Sequence, residues 1–329
     1  MVDLALSQDL SVPQKSAKLR RFHANDRLFR QLALSCALII LVMFAGILWS
    51  LFVGAWPAIK AFGLPFLWTQ AWNPVTEKFG ALAPIYGTLI TSVIAMLISV
   101  PVGIGIAIFL TELCPRSLRR PIGIAVELLA GIPSIIYGIW GLFVLAPILQ
   151  QYVMPGLIAL FADVPGLSSL FAGPPYGIGI FTAGLILGIM TLPFISAITR
   201  DVFETVPPVL KEAAYGLGAT TWEVLWSVVL PYARSGVVGG VMLALGRALG
   251  ETMAVTFVIG NAHRIATSLL APGTTISAAI ANEFTEAVGD LYTPALIELG
   301  LILFFVTASV LAIAQFMLYR LELRAGGCS

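Results

Sequence analysis

The 329-residue chain is 59% apolar, and 18 basic plus 17 acidic side chains make only 11% of it charged, against about 25% in soluble domains. Too few polar residues remain to cover a water-facing shell, so a soluble globule is excluded and lipid is the expected solvent. A formal net charge of +1 leaves no basic excess for a nucleic-acid partner, and Cys36, Cys114 and Cys328 lack the spacing of a metal site or a disulfide framework.

In chain order, residues 1–30 form a polar, basic tail, and Gln31 to Trp56 then run without a single charge. That run far exceeds the core of a signal peptide and reads as an uncleaved transmembrane helix. Further apolar stretches at 83–110, 122–150, 177–198, 237–259 and 294–318 are each long enough to cross hydrocarbon, and a tail at 321–329 follows. The stretches are apolar on all sides, without the period-2 alternation of barrel strands, so the expected fold is an all-α membrane protein, a six-transmembrane-helix bundle. Between the third and fourth spans, Asp163 and Pro165 cut off the apolar patch Met154 to Phe161, and residues 151–176 read as interfacial or re-entrant. Gly131-Ile132-Pro133 and Pro193 mark kinks or close approaches. Lysines and arginines divide 14 to 3 between the two sides of such a bundle, which by the positive-inside rule puts both termini in the cytoplasm.

The long cytoplasmic connection at 200–235 is written as two short helices. Pro208 suits a first helical position, Gly216 and Gly218 a helix stop, and Thr220 with Glu223 a capping box. A helix, a glycine turn and a helix on the membrane surface form a lever: a partner gripping it moves the spans at both ends. The residues Glu212-Ala213-Ala214, then Gly218, Val228, Leu230 and Pro231, resemble the EAA loop of ABC importer permeases, with Val228 where Ile is usual. The resemblance implies that this loop docks on a separate ATP-binding subunit. None of the five lysines follows a glycine, so the chain carries no G-x-x-x-x-G-K-[ST] phosphate cradle of its own.

Inside the fifth span stands Gly246-Arg247-Ala248-Leu249-Gly250-Glu251-Thr252. An arginine at a helix centre costs about 2.5 to 3.5 kcal/mol, so something compensates for it. On an uninterrupted helix Arg247 and Glu251 share a face and can pair, while Gly246 and Gly250 admit a neighbouring backbone. Two readings stay open: a structural ion pair, or a transport path in which Arg247 offers its guanidinium to a passing oxyanion and Glu251 holds that cation when the path is empty. Glu127 and Glu298 read as helix-end carboxylates near the starts of the third and sixth spans, and His23 and His263 lie outside the spans with no assigned role.

The 246–252 stretch resembles the segment shared by permeases of the phosphate ABC importer. Tyr86-Gly-Thr-Leu, Ser99-Val-Pro-Val-Gly, Glu127-Leu-Leu-Ala-Gly-Ile-Pro-Ser134 and Tyr137-Gly-Ile-Trp-Gly-Leu-Phe143 are similar to the PstC-type subunit family in particular, and the likeness runs from about 57 to 318. It implies a permease subunit in the bacterial inner membrane, with no catalytic group, cofactor or metal of its own. The implied partners are a second, PstA-type permease, two ATP-binding subunits that hold ATP and magnesium, and a periplasmic phosphate-binding protein, all beside membrane lipid. Arg247, Glu251 and Thr252 are the expected pathway residues, and Glu212, Ala213, Ala214, Gly218, Leu230 and Pro231 the expected coupling residues. An importer of molybdate or sulfate, and less so a secondary anion transporter using Arg247 and Glu251 as a relay, are the rival readings.

Overall fold

A computed structural model of the chain describes residues 12–326, and among them six helices are long and apolar enough to cross a membrane. The chain divides into two units, Met1–Val53 and Gly54–Ser329. Helix α1 (Val12–Phe62) supplies the described part of the first unit and runs on into the second, with Leu28–Phe62 as its membrane-crossing portion.

The second unit continues with α2 (Leu82–Leu113), α3 (Arg116–Ala130), α4 (Ser134–Phe161), α5 (Leu167–Leu170) and α6 (Ile180–Glu204). It closes with α7 (Pro208–Gly216), α8 (Thr221–Gly250), α9 (Met253–Val258), α10 (Ile276–Glu283) and α11 (Tyr292–Gly326). Helix α6 is the buried axis of this unit. Glycines let it approach α2: a Cβ on Gly184 would lie 2.7 Å from Ile94, and one on Gly103 would lie 2.8 Å from Ile195. Lipid supplies no hydrophobic drive between helices, so such close backbone packing holds the bundle together. The hydroxyls along this contact bond back to their own helix, as Thr91 Oγ1 to the Gly87 carbonyl at 2.8 Å and Thr191 Oγ1 to the Leu187 carbonyl at 2.9 Å. These threonines are thereby buried with a partner, whereas the buried hydroxyls of Ser99 on α2 and Thr199 on α6 have none.

Four π-helical turns interrupt the long helices, at Phe109–Leu113, Gly141–Leu145, Leu149–Val153 and Leu225–Val229. Each is followed two residues later by a proline: Pro115, Pro147, Pro155 and Pro231. Proline donates no hydrogen bond and its ring collides with the carbonyl four residues back; a widened turn relieves that collision and lets the helix continue, or end cleanly in the case of Pro115.

This device corrects two boundaries. The third crossing helix is Ser134–Phe161, not 122–150. Residues 116–130 form the separate amphipathic helix α3, cut off at Gly131-Ile132-Pro133, and Met154–Phe161 completes the crossing through Pro155 instead of lying at an interface. Likewise the fifth crossing helix is Thr221–Gly250, not 237–259, so the second helix expected in the 200–235 connection is the beginning of a span. Re-entry falls later in the chain. After Gly250 the backbone breaks, and α9, a loop and α10 fold back into the unit. There Ile180 N donates to the Ala271 carbonyl at 3.2 Å, Phe181 N to the Leu269 carbonyl at 2.9 Å, and Ile276 N to Thr88 Oγ1 at 3.0 Å. Non-helical backbone is tolerated among the spans because these contacts satisfy it.

Candidate functional site

The residues expected to couple to a partner sit where their local chemistry puts them. Pro208 opens α7, whose N–H-free first position loses nothing, and Gly218 stands at φ +90°, a conformation that side chains with a Cβ resist. Thr220 then starts α8 with a full capping box: Glu223 N donates to Thr220 Oγ1 at 3.4 Å, and Thr220 N donates to Glu223 Oε2 at 2.8 Å. Beneath, Phe203, Val206, Val224, Leu225 and Val229 form a buried cluster that anchors both ends of the turn. Glu212 and Ala213 on α7 are exposed, as are Val209, Leu217 and Trp222, while Ala214 is half-buried against the cluster. Leu230 and Pro231 lie more than two helical turns into α8, the first half-buried and the second exposed. The element is thus an anchored turn with an apolar outer face, fit to receive another protein.

One tie to this lever was not legible in the sequence. Lys211 Nζ lies 2.6 Å from Glu112 Oε1, joining α7 to the last turn of α2, with side chains only 20% and 9% exposed. The two residues are 99 positions apart, and neither carries a motif.

The Arg247 region departs from expectation. Helix α8 ends at Gly250, and Glu251 takes extended backbone at φ −67°, ψ 131°. Arg247 and Glu251 therefore do not share a continuous helix face, and no ion pair joins them. Glu251 Oε1 instead accepts from Ala254 N at 3.4 Å and caps the start of α9, while Thr252 Oγ1 donates to the Gly250 carbonyl at 3.3 Å. Arg247 is exposed, its guanidinium carbon 5.9 Å from the centroid of the Phe194 ring. A cation without a carboxylate partner among the described residues, on a crossing helix beside unwound backbone, can receive an anion that brings its own charge.

Other acidic residues are also re-placed. Glu127 pairs with Arg200 at 2.7 Å, on α3 and not at the start of a span. Glu298 is buried in α11 rather than reaching interfacial water, and its Oε2 has no hydrogen-bond partner. Away from α7, His263 joins a polar knot. Its ring stacks on Trp72 at 4.7 Å, and Glu283 receives hydrogen bonds from Trp72 Nε1 at 2.6 Å and Tyr292 Oη at 2.7 Å, with His263 Nε2 at 2.5 Å. Burial pushes the Glu283 carboxyl up, but the bonds from His263 and Tyr292 and the attraction of His263 outweigh it, leaving it below the ordinary carboxylate range. Among the described residues no group of His, Cys, Asp and Glu could hold a metal ion.

Residues 99–325 match the model of the family described as "Binding-protein-dependent transport system inner membrane component". The chain is 68% identical over 312 residues to a Mesorhizobium japonicum protein named phosphate transport system permease protein PstC, covering 95% of each chain. It is 57% identical to the so-named protein of Pasteurella multocida, covering 92% of this chain and 95% of that one. Among solved structures, the bacterial alginate ABC transporter bound to an alginate-loaded periplasmic protein has a chain that superposes with a TM-score of 0.59 at 18% identity, covering 90% of this chain and 97% of that one, a likeness of fold. With a family model spanning most of its length and relatives this close, the chain belongs to the binding-protein-dependent transport permeases, in their PstC family, and is a multi-pass membrane subunit of a transporter.

Proposed function

We propose that this chain is one transmembrane permease of an ATP-driven importer of inorganic phosphate, half of the translocation path, in the bacterial inner membrane with both termini cytoplasmic. The carrying observation is Arg247, an exposed cation on a crossing helix whose nearest acidic neighbour in sequence, Glu251, is turned away to cap α9. A guanidinium so placed presents a planar donor fork that suits a tetrahedral oxyanion, and the helix break after Gly250 leaves backbone unwound where a path would need it. Thr252, just past the helix end, adds a hydroxyl. Glu212, Ala213, Ala214 and Gly218 form the face that a separate ATP-binding subunit grips, with Leu230 and Pro231 passing its movement into α8. ATP and magnesium are held by two such partners, this chain having no phosphate cradle, and the second half of the path comes from a PstA-type permease, with a periplasmic phosphate-binding protein delivering the ligand.

The relatives named for phosphate transport, together with the 14 to 3 division of basic residues, support substrate and orientation. Uptake of radiolabelled phosphate by cells carrying this chain with its partners is the test. The reading expects saturable, ATP-dependent uptake that excess unlabelled phosphate competes away and molybdate or sulfate does not; competition by either of the latter overturns the substrate. A cysteine at Val288, 88% exposed, should react with an impermeant thiol reagent from outside and one at Leu217, 91% exposed, should not; the reverse overturns the orientation.

A further inference from the structure

The arginines between the second and third crossings and one at the end of the fourth converge on one place. Arg116, Arg119 and Arg120 from the first turns of α3, and Arg200 from the last turns of α6, line an open pocket of about 420 Å³ together with Glu127 and Glu204. The acidic side chains there are already engaged. Arg200 binds Glu127 at 2.7 Å and Asp201 at 3.0 Å, and lies 4.0 Å from Glu204. No carboxylate stands within ion-pair distance of Arg116, Arg119 or Arg120 among the described residues. Arg119 is held in place by a bond from Nη2 to the Thr111 carbonyl at 2.5 Å, yet its Nε is buried without any partner. Arg116 and Arg120 are exposed. The pocket therefore offers the guanidinium of Arg119, tethered through Nη2, and two further uncompensated cations, an arrangement completed by an oxyanion.

The surroundings say what carries that oxyanion. Leu118, Ile124 and Leu128 on the amphipathic helix α3 and Phe109 and Leu113 at the end of the crossing helix α2 are all exposed apolar side chains. An anion dissolved in water leaves those side chains uncovered, whereas an anionic lipid puts its phosphate among the arginines and its acyl chains along the apolar flank. We propose that this pocket binds the headgroup phosphate of an anionic phospholipid of the cytoplasmic leaflet, which rests on the orientation given above. The site adjoins the lever: Glu112, which holds Lys211 of α7, lies four residues before Arg116. A bound lipid phosphate braces the end of α2 where the lever is tied.

The experiment is native mass spectrometry of the affinity-purified chain with its copurifying subunits in mild detergent, with cardiolipin added. Retention is read only on peaks of assembled protein, so poor folding of a variant does not enter, and the readout does not depend on transport or on which anion is carried. The expected result is cardiolipin retained by the wild type and held roughly thirtyfold more weakly by the double variant Arg116→Gln, Arg120→Gln. Arg234→Gln, an exposed arginine outside the pocket, should leave retention unchanged. Equal retention in the double variant overturns the proposal. Displacement of the lipid by inorganic phosphate in excess also overturns it, by assigning the pocket to a free oxyanion.

Discussion

Lys211→Met removes the cation that ties α7 to α2 and leaves Glu112, 9% exposed, without a counter-charge. Exposed ion pairs contribute up to about 1 kcal/mol, and breaking a fully buried pair costs about 3 to 5 kcal/mol because the remaining charge stays buried. With 20% of Lys211 and 9% of Glu112 exposed, the single variant falls between these limits, at about 2 to 3 kcal/mol of weakened docking of the lever. Hydrogen exchange of the α7 amides in the purified complex reads that docking directly, and the loss should speed exchange across Pro208–Gly216 by roughly thirtyfold to a hundredfold. Adding Glu112→Gln should recover more than half of the loss, since an amide can be buried at far lower cost than an unpaired carboxylate. Unchanged exchange in Lys211→Met, or a double variant whose cost is the sum of the two singles, would refute the argument that this pair holds the lever.

Arg247→Gln should cut phosphate uptake about tenfold to a hundredfold at matched abundance, the loss of one charge-assisted contact to the anion, while Glu251→Gln, whose oxygen still caps α9, should cost far less; normal uptake in Arg247→Gln removes the oxyanion role. Exchanging the two, Arg247→Glu with Glu251→Arg, should fail to restore uptake, because the helix break places the two side chains in different surroundings. Gly218→Val should destabilise the turn by about 1 to 2 kcal/mol through φ +90° alone, since a Cβ there meets nothing within 4 Å, and coupled ATP hydrolysis in the reconstituted complex measures it. Glu283 has a lowered folded-state pKa, so its contribution to stability is complete above the ordinary carboxylate range near pH 4 and is lost as the pH falls through the lowered value; Glu283→Gln should flatten that part of the acid limb in thermal unfolding monitored between about pH 7 and pH 3.

Composition and local pattern alone determined the membrane class, the existence of six crossings, and the turn at Gly218 with its capping box and positive-φ glycine. Each of these depends on residues near one another in the chain: a run long enough to span hydrocarbon, or a hydroxyl three residues from a carboxylate. Tertiary structure decided where the crossings begin and end. Hydropathy sums over a window and cannot register that Pro155 and Pro231 are absorbed by widened turns while Gly131-Ile132-Pro133 stops a helix, because that outcome depends on which neighbours satisfy the freed backbone. The same reason separated Arg247 from Glu251, paired on paper by a spacing of four but parted by a break that loop contacts stabilise. Lys211 with Glu112, and the convergence of Arg116, Arg119, Arg120 and Arg200, come from helices distant in sequence that glycine-mediated packing of α2 against α6 brings together. A charge in a low-dielectric setting is governed by what packs beside it, and only the folded bundle specifies that.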